Sequence, residues 1–222
     1  MKWSIAAGLF LLIVGLCLIS SGPSHALPPT TVNISPSSQT VNSSQMFTVG
    51  VYVTPGEPII GVTFALSFNA SLLQANSVTE GNLLNQSCST LFLPGTINNT
   101  TGTITGVAGS TQSGCTVSSP GTFANISFTA RNVSGTSFLN MSSVAVSDVN
   151  ASPVSISVNN GSVRIPQRWD INCDGRVDLF DLVRLGLHWG ETGAPGWIPE
   201  DVTPDGIIDL FDLVLIGIYW TG

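Results

Sequence analysis

Lysine is almost missing from this 222-residue chain: Lys2 is the only one, and Arg131, Arg164, Arg168, Arg176 and Arg184 are its remaining permanent cations. Charged residues make up 9% of the sequence and the formal net charge is −7. So few positive groups cannot neutralise a phosphate backbone or an anionic lipid surface, which excludes nucleic acid and charged membranes as principal partners. Between residues 27 and 165 there is no histidine, and the only acids are Glu57, Glu80 and Asp148. Neither a nucleophile with its base nor two facing carboxylates can be read there, so the chain does not read as an enzyme. Long apolar runs are scarce too. Residues 5–19 form one, behind Lys2 and ahead of Ser24 and Ala26, small residues at the two positions a signal peptidase reads. The expectation is a signal peptide over 1–26, a secreted chain after it, and no membrane span in the mature protein.

Cysteine is sparse as well. Cys17 lies in the segment expected to be removed, and Cys88 and Cys115 share one Ser/Thr-rich region of a chain bound for an oxidising compartment, which predicts a disulfide between them. Cys173 is left over, either buried or available to pair between chains.

Serine, threonine, valine, glycine and asparagine dominate residues 27–165, in short alternating runs separated by turn residues. That pattern predicts an all-β sandwich. Val62, Phe64, Leu66 and Phe68 share one face of a strand, with Thr63, Ala65 and Ser67 on the other; Ala124, Ile126, Phe128 and Ala130 alternate in the same way, and Val32 and Ile34 flank Asn33. The apolar sets belong in the core. Asn-x-Ser/Thr triplets begin at Asn33, Asn42, Asn69, Asn85, Asn98, Asn99, Asn125, Asn132, Asn140, Asn150 and Asn160, and none follows Pro166. They are glycan acceptors or a by-product of composition.

Residues 165–169 form a linker too short for a second unit to swing freely. Beyond it the charge distribution changes: of 13 Asp and Glu, 10 lie between Asp170 and Asp212, in two near-copies of one pattern 31 positions apart. Calcium takes six to eight oxygen ligands, and an EF-hand-type loop offers them at positions 1, 3, 5, 7, 9 and 12 around a glycine at 6. Loop 170–181 meets that spacing with Asp170, Asn172, Asp174, the carbonyl of Arg176, Asp178 and Asp181 around Gly175. Loop 201–212 meets it with Asp201, Thr203, Asp205, the carbonyl of Ile207, Asp209 and Asp212 around Gly206. Two calcium ions are therefore expected, the second held less tightly because the Thr203 hydroxyl replaces a stronger oxygen donor. Without metal each loop crowds four carboxylates together, so folding here should be coupled to calcium.

The duplicated loop and helix, with Asp at position 12, resembles a dockerin, the small calcium module of cellulosomes, over 169–222. The expected fold is thus mainly β with a small α C-terminal domain: a jelly-roll β-sandwich, then an EF-hand-like dockerin over 166–222. Resemblance to that family implies near two-fold packing of the repeats and a helix face that docks on a cohesin.

In the first helix Leu182, Leu185 and Trp189, with Val177, follow core spacing; Leu213, Ile216, Trp220 and Ile208 match them in the second. A second apolar stripe remains: Leu179, Phe180, Val183 and Leu187, then Leu210, Phe211, Val214 and Ile218, with Gly186 and Gly217 leaving room for close approach. So small a unit cannot cover both stripes, which makes the second an exposed partner site unless the sandwich, or Trp197 with loop 190–199, lies over it. Leu179-Phe180 and Leu210-Phe211 align with the recognition pair of dockerins. Well-known clostridial dockerins often carry Ser/Thr there, which implies a more apolar partner here, and the repetition allows two docking orientations.

The sandwich itself resembles a cohesin through the Pro55-Gly56 turn, the strand 60–68 running into Asn69–Leu73, Glu80–Leu84, Gly121–Phe128 and Gly135–Leu139; carbohydrate-binding modules share its architecture. The implied function is a secreted, non-catalytic adaptor that assembles extracellular complexes through calcium-dependent cohesin–dockerin contacts, with ties to polysaccharide handling. Its partners are cohesin or dockerin domains of other chains, a second copy included. Two other readings stand beside it: a glycan-binding module carried to a complex by its dockerin, and a surface-layer or adhesive glycoprotein.

Overall fold

The structure is a computed structural model and describes residues 28–222; the expected signal peptide lies outside them. Twelve strands come first: β1 (Thr30–Ser35), β2 (Ser38–Thr40), β3 (Met46–Thr54), β4 (Ile59–Ser67), β5 (Leu73–Glu80), β6 (Thr90–Leu93), β7 (Thr96–Asn98), β8 (Thr103–Thr111), β9 (Gly121–Ala130), β10 (Gly135–Asp148), β11 (Ile156–Asn159) and β12 (Gly161–Ile165). Two helices follow, α1 (Leu179–Leu187) and α2 (Leu210–Ile218).

The strands build two sheets, in the orders β11-β1-β3-β9-β5 and β2-β12-β10-β4-β8-β6, with β7 also on β8. Every inward set read from the sequence is buried: Val62, Phe64, Leu66 and Phe68 on β4 and just past its end, Ala124, Ile126, Phe128 and Ala130 on β9, Val32 and Ile34 on β1. Period-2 alternation directs these side chains between the sheets, where removal of apolar surface from water drives the packing. Phe128 sits at the centre, stacked on Phe47 at 5.7 Å and edge-on to Phe68 at 5.3 Å.

Both ends of the sandwich are tied together by parallel pairing. β1 runs beside β11 and β2 beside β12, so the first and last strand pairs each divide between the two sheets. The chain consequently leaves the sandwich from a strand held on both sides, by β2 and by the 14-residue β10. A disulfide joins Cys88 to Cys115 with the Cα atoms 5.9 Å apart, closing the segment that carries β6, β7 and β8.

The C-terminal unit has its own core of Ile171, Val177, Leu185, Val202, Ile208 and Ile216, with Trp169, Leu182, Ile198, Leu213 and Leu215 packed around it. Two residues expected in that core are outside it. Trp189 and Trp220 are 50% and 44% exposed. Each helix is nine residues long and ends before its tryptophan, with His188 and Tyr219 as C-caps, so helical spacing no longer governs where the indoles point.

Candidate metal loops and docking surfaces

The two acidic loops are related by an internal pseudo-symmetry visible in their hydrogen bonds. Asp178 and Asp209 are N-caps that accept from the amides of Phe180 and Phe211, and Asp181 and Asp212 complete capping boxes. The Val177 carbonyl accepts from the amide of Thr221, just after α2, and the Ile208 carbonyl accepts from the amide of Gly190, just after α1. Each loop is thus closed by the segment that follows the other repeat's helix. Trp169 stacks on Tyr219 with 3.5 Å between centroids, joining the two ends of the unit.

Position 6 requires glycine for a geometric reason. Gly175 and Gly206 have φ of +98° and +88°, and a Cβ on Gly206 would lie 2.5 Å from the Gly193 carbonyl oxygen. The turns aim the loops inward: Asp170, Asp181, Asp201 and Asp212, at positions 1 and 12, are all buried, while Asp174 and Asp205 are exposed and Asn172, Thr203, Asp178 and Asp209 are half-buried. Arg176 and Ile207, which would contribute carbonyls, present exposed side chains.

Asp181 accepts from the amides of Asn172 at 3.1 Å and Asp178 at 2.8 Å; Asp212 accepts from those of Thr203 and Asp209, both at 2.9 Å, and from the Thr203 hydroxyl. Among the described residues no three His, Cys, Asp or Glu side chains are already drawn together as a metal cage. The donor set still fits a hard cation. Asp170 Oδ1 is buried with no hydrogen-bond partner, and burial pushes the Asp170 carboxyl above its ordinary pKa against the pull of Arg164. Among the described residues five buried carboxylates, Glu200 included, face two cationic side chains, through Arg164–Asp170 at 2.8 Å and Arg184–Glu200 at 3.4 Å. Buried charge on this scale calls for a compensating cation, and all-oxygen donors of this kind suit calcium.

The second apolar stripe is open to solvent. Leu179, Phe180, Val183, Leu187, Leu210, Phe211, Val214 and Ile218 are all exposed, from 49% at Val214 to 74% at Leu187. Gly186 and Gly217 have open space where a Cβ would stand. Neither candidate cover lies over the stripe; the Trp197 ring packs on Gly193 instead.

A second surface was not foreseen from the sequence. On edge strand β6, Leu91 and Leu93 point outward beside an open depression lined by Gly61, Thr63, Ala108, Ser110 and Ser147. Leu93 pairs with Ala108 and Ala108 with Thr63, giving a smooth row of small residues next to two leucines. Its signal was the apolar run Leu91, Phe92, Leu93: only Phe92 packs inward, against Phe123 at 5.7 Å, so apolar neighbours on both sides marked a strand with two apolar faces.

The family model described as "Cohesin domain" matches residues 30–165, more than half of the chain, and the chain belongs to the cohesin family. Cohesin domains are non-catalytic protein-interaction modules that bind dockerin domains. The chain is similar in fold to a non-cellulosomal cohesin from the hyperthermophilic archaeon Archaeoglobus fulgidus, with 18% identity and a TM-score of 0.50 over 62% of this chain and 91% of that one. It is likewise similar to a type I cohesin–dockerin complex from Clostridium thermocellum, with 17% identity, a TM-score of 0.52 and coverage of 62% and 99%. A cohesin of scaffoldin B from Acetivibrio cellulolyticus, solved with a dockerin, gives 18%, 0.51, 62% and 99%. Among curated proteins none matches the chain. No helix among the described residues is long and apolar enough to cross a membrane.

Proposed function

We propose that this chain is a secreted, non-catalytic adaptor. Its cohesin sandwich receives a dockerin-type module, with the Leu91/Leu93 face as the receiving surface, while its C-terminal unit is itself a dockerin that docks on a cohesin of another chain. Two calcium ions organise that unit: Asp170, Asn172, Asp174, Asp178, Asp181 and the Arg176 carbonyl hold one, and Asp201, Thr203, Asp205, Asp209, Asp212 and the Ile207 carbonyl the other. The ions would supply the positive charge that the buried carboxylates need; the side chains fix where the helices begin.

The observation that carries this reading is the apolar stripe of eight large side chains left exposed on two helices that both start from acidic loops, in a chain whose other unit is a cohesin. Exposed apolar area of this kind marks a protein-binding face. A link to polysaccharide enters through what such an assembly carries.

The test is size exclusion with light scattering in calcium, alone and with the cohesin- and dockerin-type modules encoded alongside this chain. Binding of a cohesin-type module that disappears in the Leu179→Asp, Phe180→Asp, Leu210→Asp, Phe211→Asp variant, while binding of a dockerin-type module persists, supports the assigned face. Retained binding of the cohesin-type module by that variant, or capture of neither module by the wild type, overturns it.

A further inference from the structure

The two loops are not held alike from behind. In the second, Asp201 Oδ2 accepts from the amides of Gly206 at 3.0 Å and Gly196 at 2.6 Å, and Oδ1 from that of Asp205 at 3.1 Å. All three donors belong to the C-terminal unit. In the first, Asp170 Oδ2 accepts from the Gly175 amide at 3.1 Å and from Arg164 Nη2 at 2.8 Å, leaving Oδ1 buried without a partner. Arg164 belongs to β12, the last strand of the sandwich, and its Nη1 also donates to the Cys173 carbonyl at 2.8 Å. A Cβ on Gly175 would stand 3.2 Å from Nη2, so glycine at position 6 also makes room for the guanidinium.

Little else fastens the two units. Arg168 reaches Asn132 at 3.3 Å, and a cleft rather than a packed core separates Asn42 and Ser43 of the sandwich from Ile171, Trp197 and Pro199. The planar fork of one arginine, engaging a carboxylate and a backbone carbonyl at once, is therefore the main connection.

We propose that Arg164 makes the first loop the joint between the units, so that calcium in this loop and the seating of the C-terminal unit on the sandwich are one coupled equilibrium. This rests on the reading of the loops as calcium sites. The carboxylate pinned by Arg164 through Oδ2 is the one whose Oδ1 is free to meet the ion, so an ordered first loop presents Arg164 with both its acceptors. Coupling of this kind is reciprocal: loosening the seat loosens the loop. Functionally, the angle between the helix stripe and the Leu91/Leu93 face is fixed only when the first loop is ordered.

Backbone NMR relaxation on the full chain, read as the tumbling time of each unit and paired with a count of bound calcium, tests the joint. In calcium the wild-type units tumble as one body, and in chelator they separate. At saturating calcium Arg164→Ala still binds two ions, the first-loop ion less tightly than in the wild type, and keeps a native sandwich, yet its units tumble separately; Arg164→Lys, lacking the fork, restores the joint only in part. Two bound ions with joint tumbling unchanged in Arg164→Ala would overturn this proposal and leave the calcium reading standing. No ion bound by the wild type would overturn both.

Discussion

Asp181 and Asp212 are fully buried, and each spends its two oxygens on backbone amides at opposite ends of its loop. One carboxylate thereby closes the loop and starts the helix. Exchanging Asp181 for Asn keeps the volume but replaces one acceptor oxygen with a donor and removes the charge. Asp181→Asn should therefore cost the chain one of the two calcium ions we propose for it, leaving the second loop loaded, as counted by native mass spectrometry. The loop aspartates were legible in the sequence because their geometry is local: twelve consecutive residues determine it. Arg164 was not legible. It sits on β12 opposite Thr136, and nothing near it in sequence says that the turn after Pro166 brings Asp170 and Cys173 back to its guanidinium.

Strand alternation identified the inward faces of β1, β4 and β9, because a strand buried on one side prints its orientation directly into the sequence. The centre of that packing is Phe128. Phe128→Ala removes the ring that Phe47 and Phe68 both contact, and should cost the sandwich about 3–5 kcal/mol, measured as a lowered denaturant midpoint with unchanged slope. Closure of the β6–β8 segment by Cys88–Cys115 spans a sequence separation of 27; on chain-entropy grounds the paired Cys88→Ser, Cys115→Ser variant should lose about 3–4 kcal/mol, seen as an earlier thermal transition. Helix ends were where element-level reading failed. Leu182, Leu185 and their counterparts in α2 obeyed helical spacing, but extending it to Trp189 and Trp220 assumed one more turn than exists, and the capping segments His188 and Tyr219 decide otherwise. The Leu91/Leu93 face was hidden for a different reason: its partners Ala108 and Thr63 come together only through the register of β6 on β8 and β8 on β4.

At the scale of the whole molecule, the chain consists of two cores of different origin. Apolar burial between sheets holds the sandwich, whereas the C-terminal unit has a small core wrapped around buried carboxylates, for which we propose calcium as the compensating charge. The proposed adaptor role rests on joining them, because each unit presents one apolar face that the other does not cover. The measurement that bears most directly on this account is a calorimetric titration of calcium into the chelated full chain, with circular dichroism followed in parallel. The account predicts two ions bound per chain, with helical signal gained as they bind. A chain that takes up no calcium, or whose helices are equally ordered in chelator and in calcium, would contradict it.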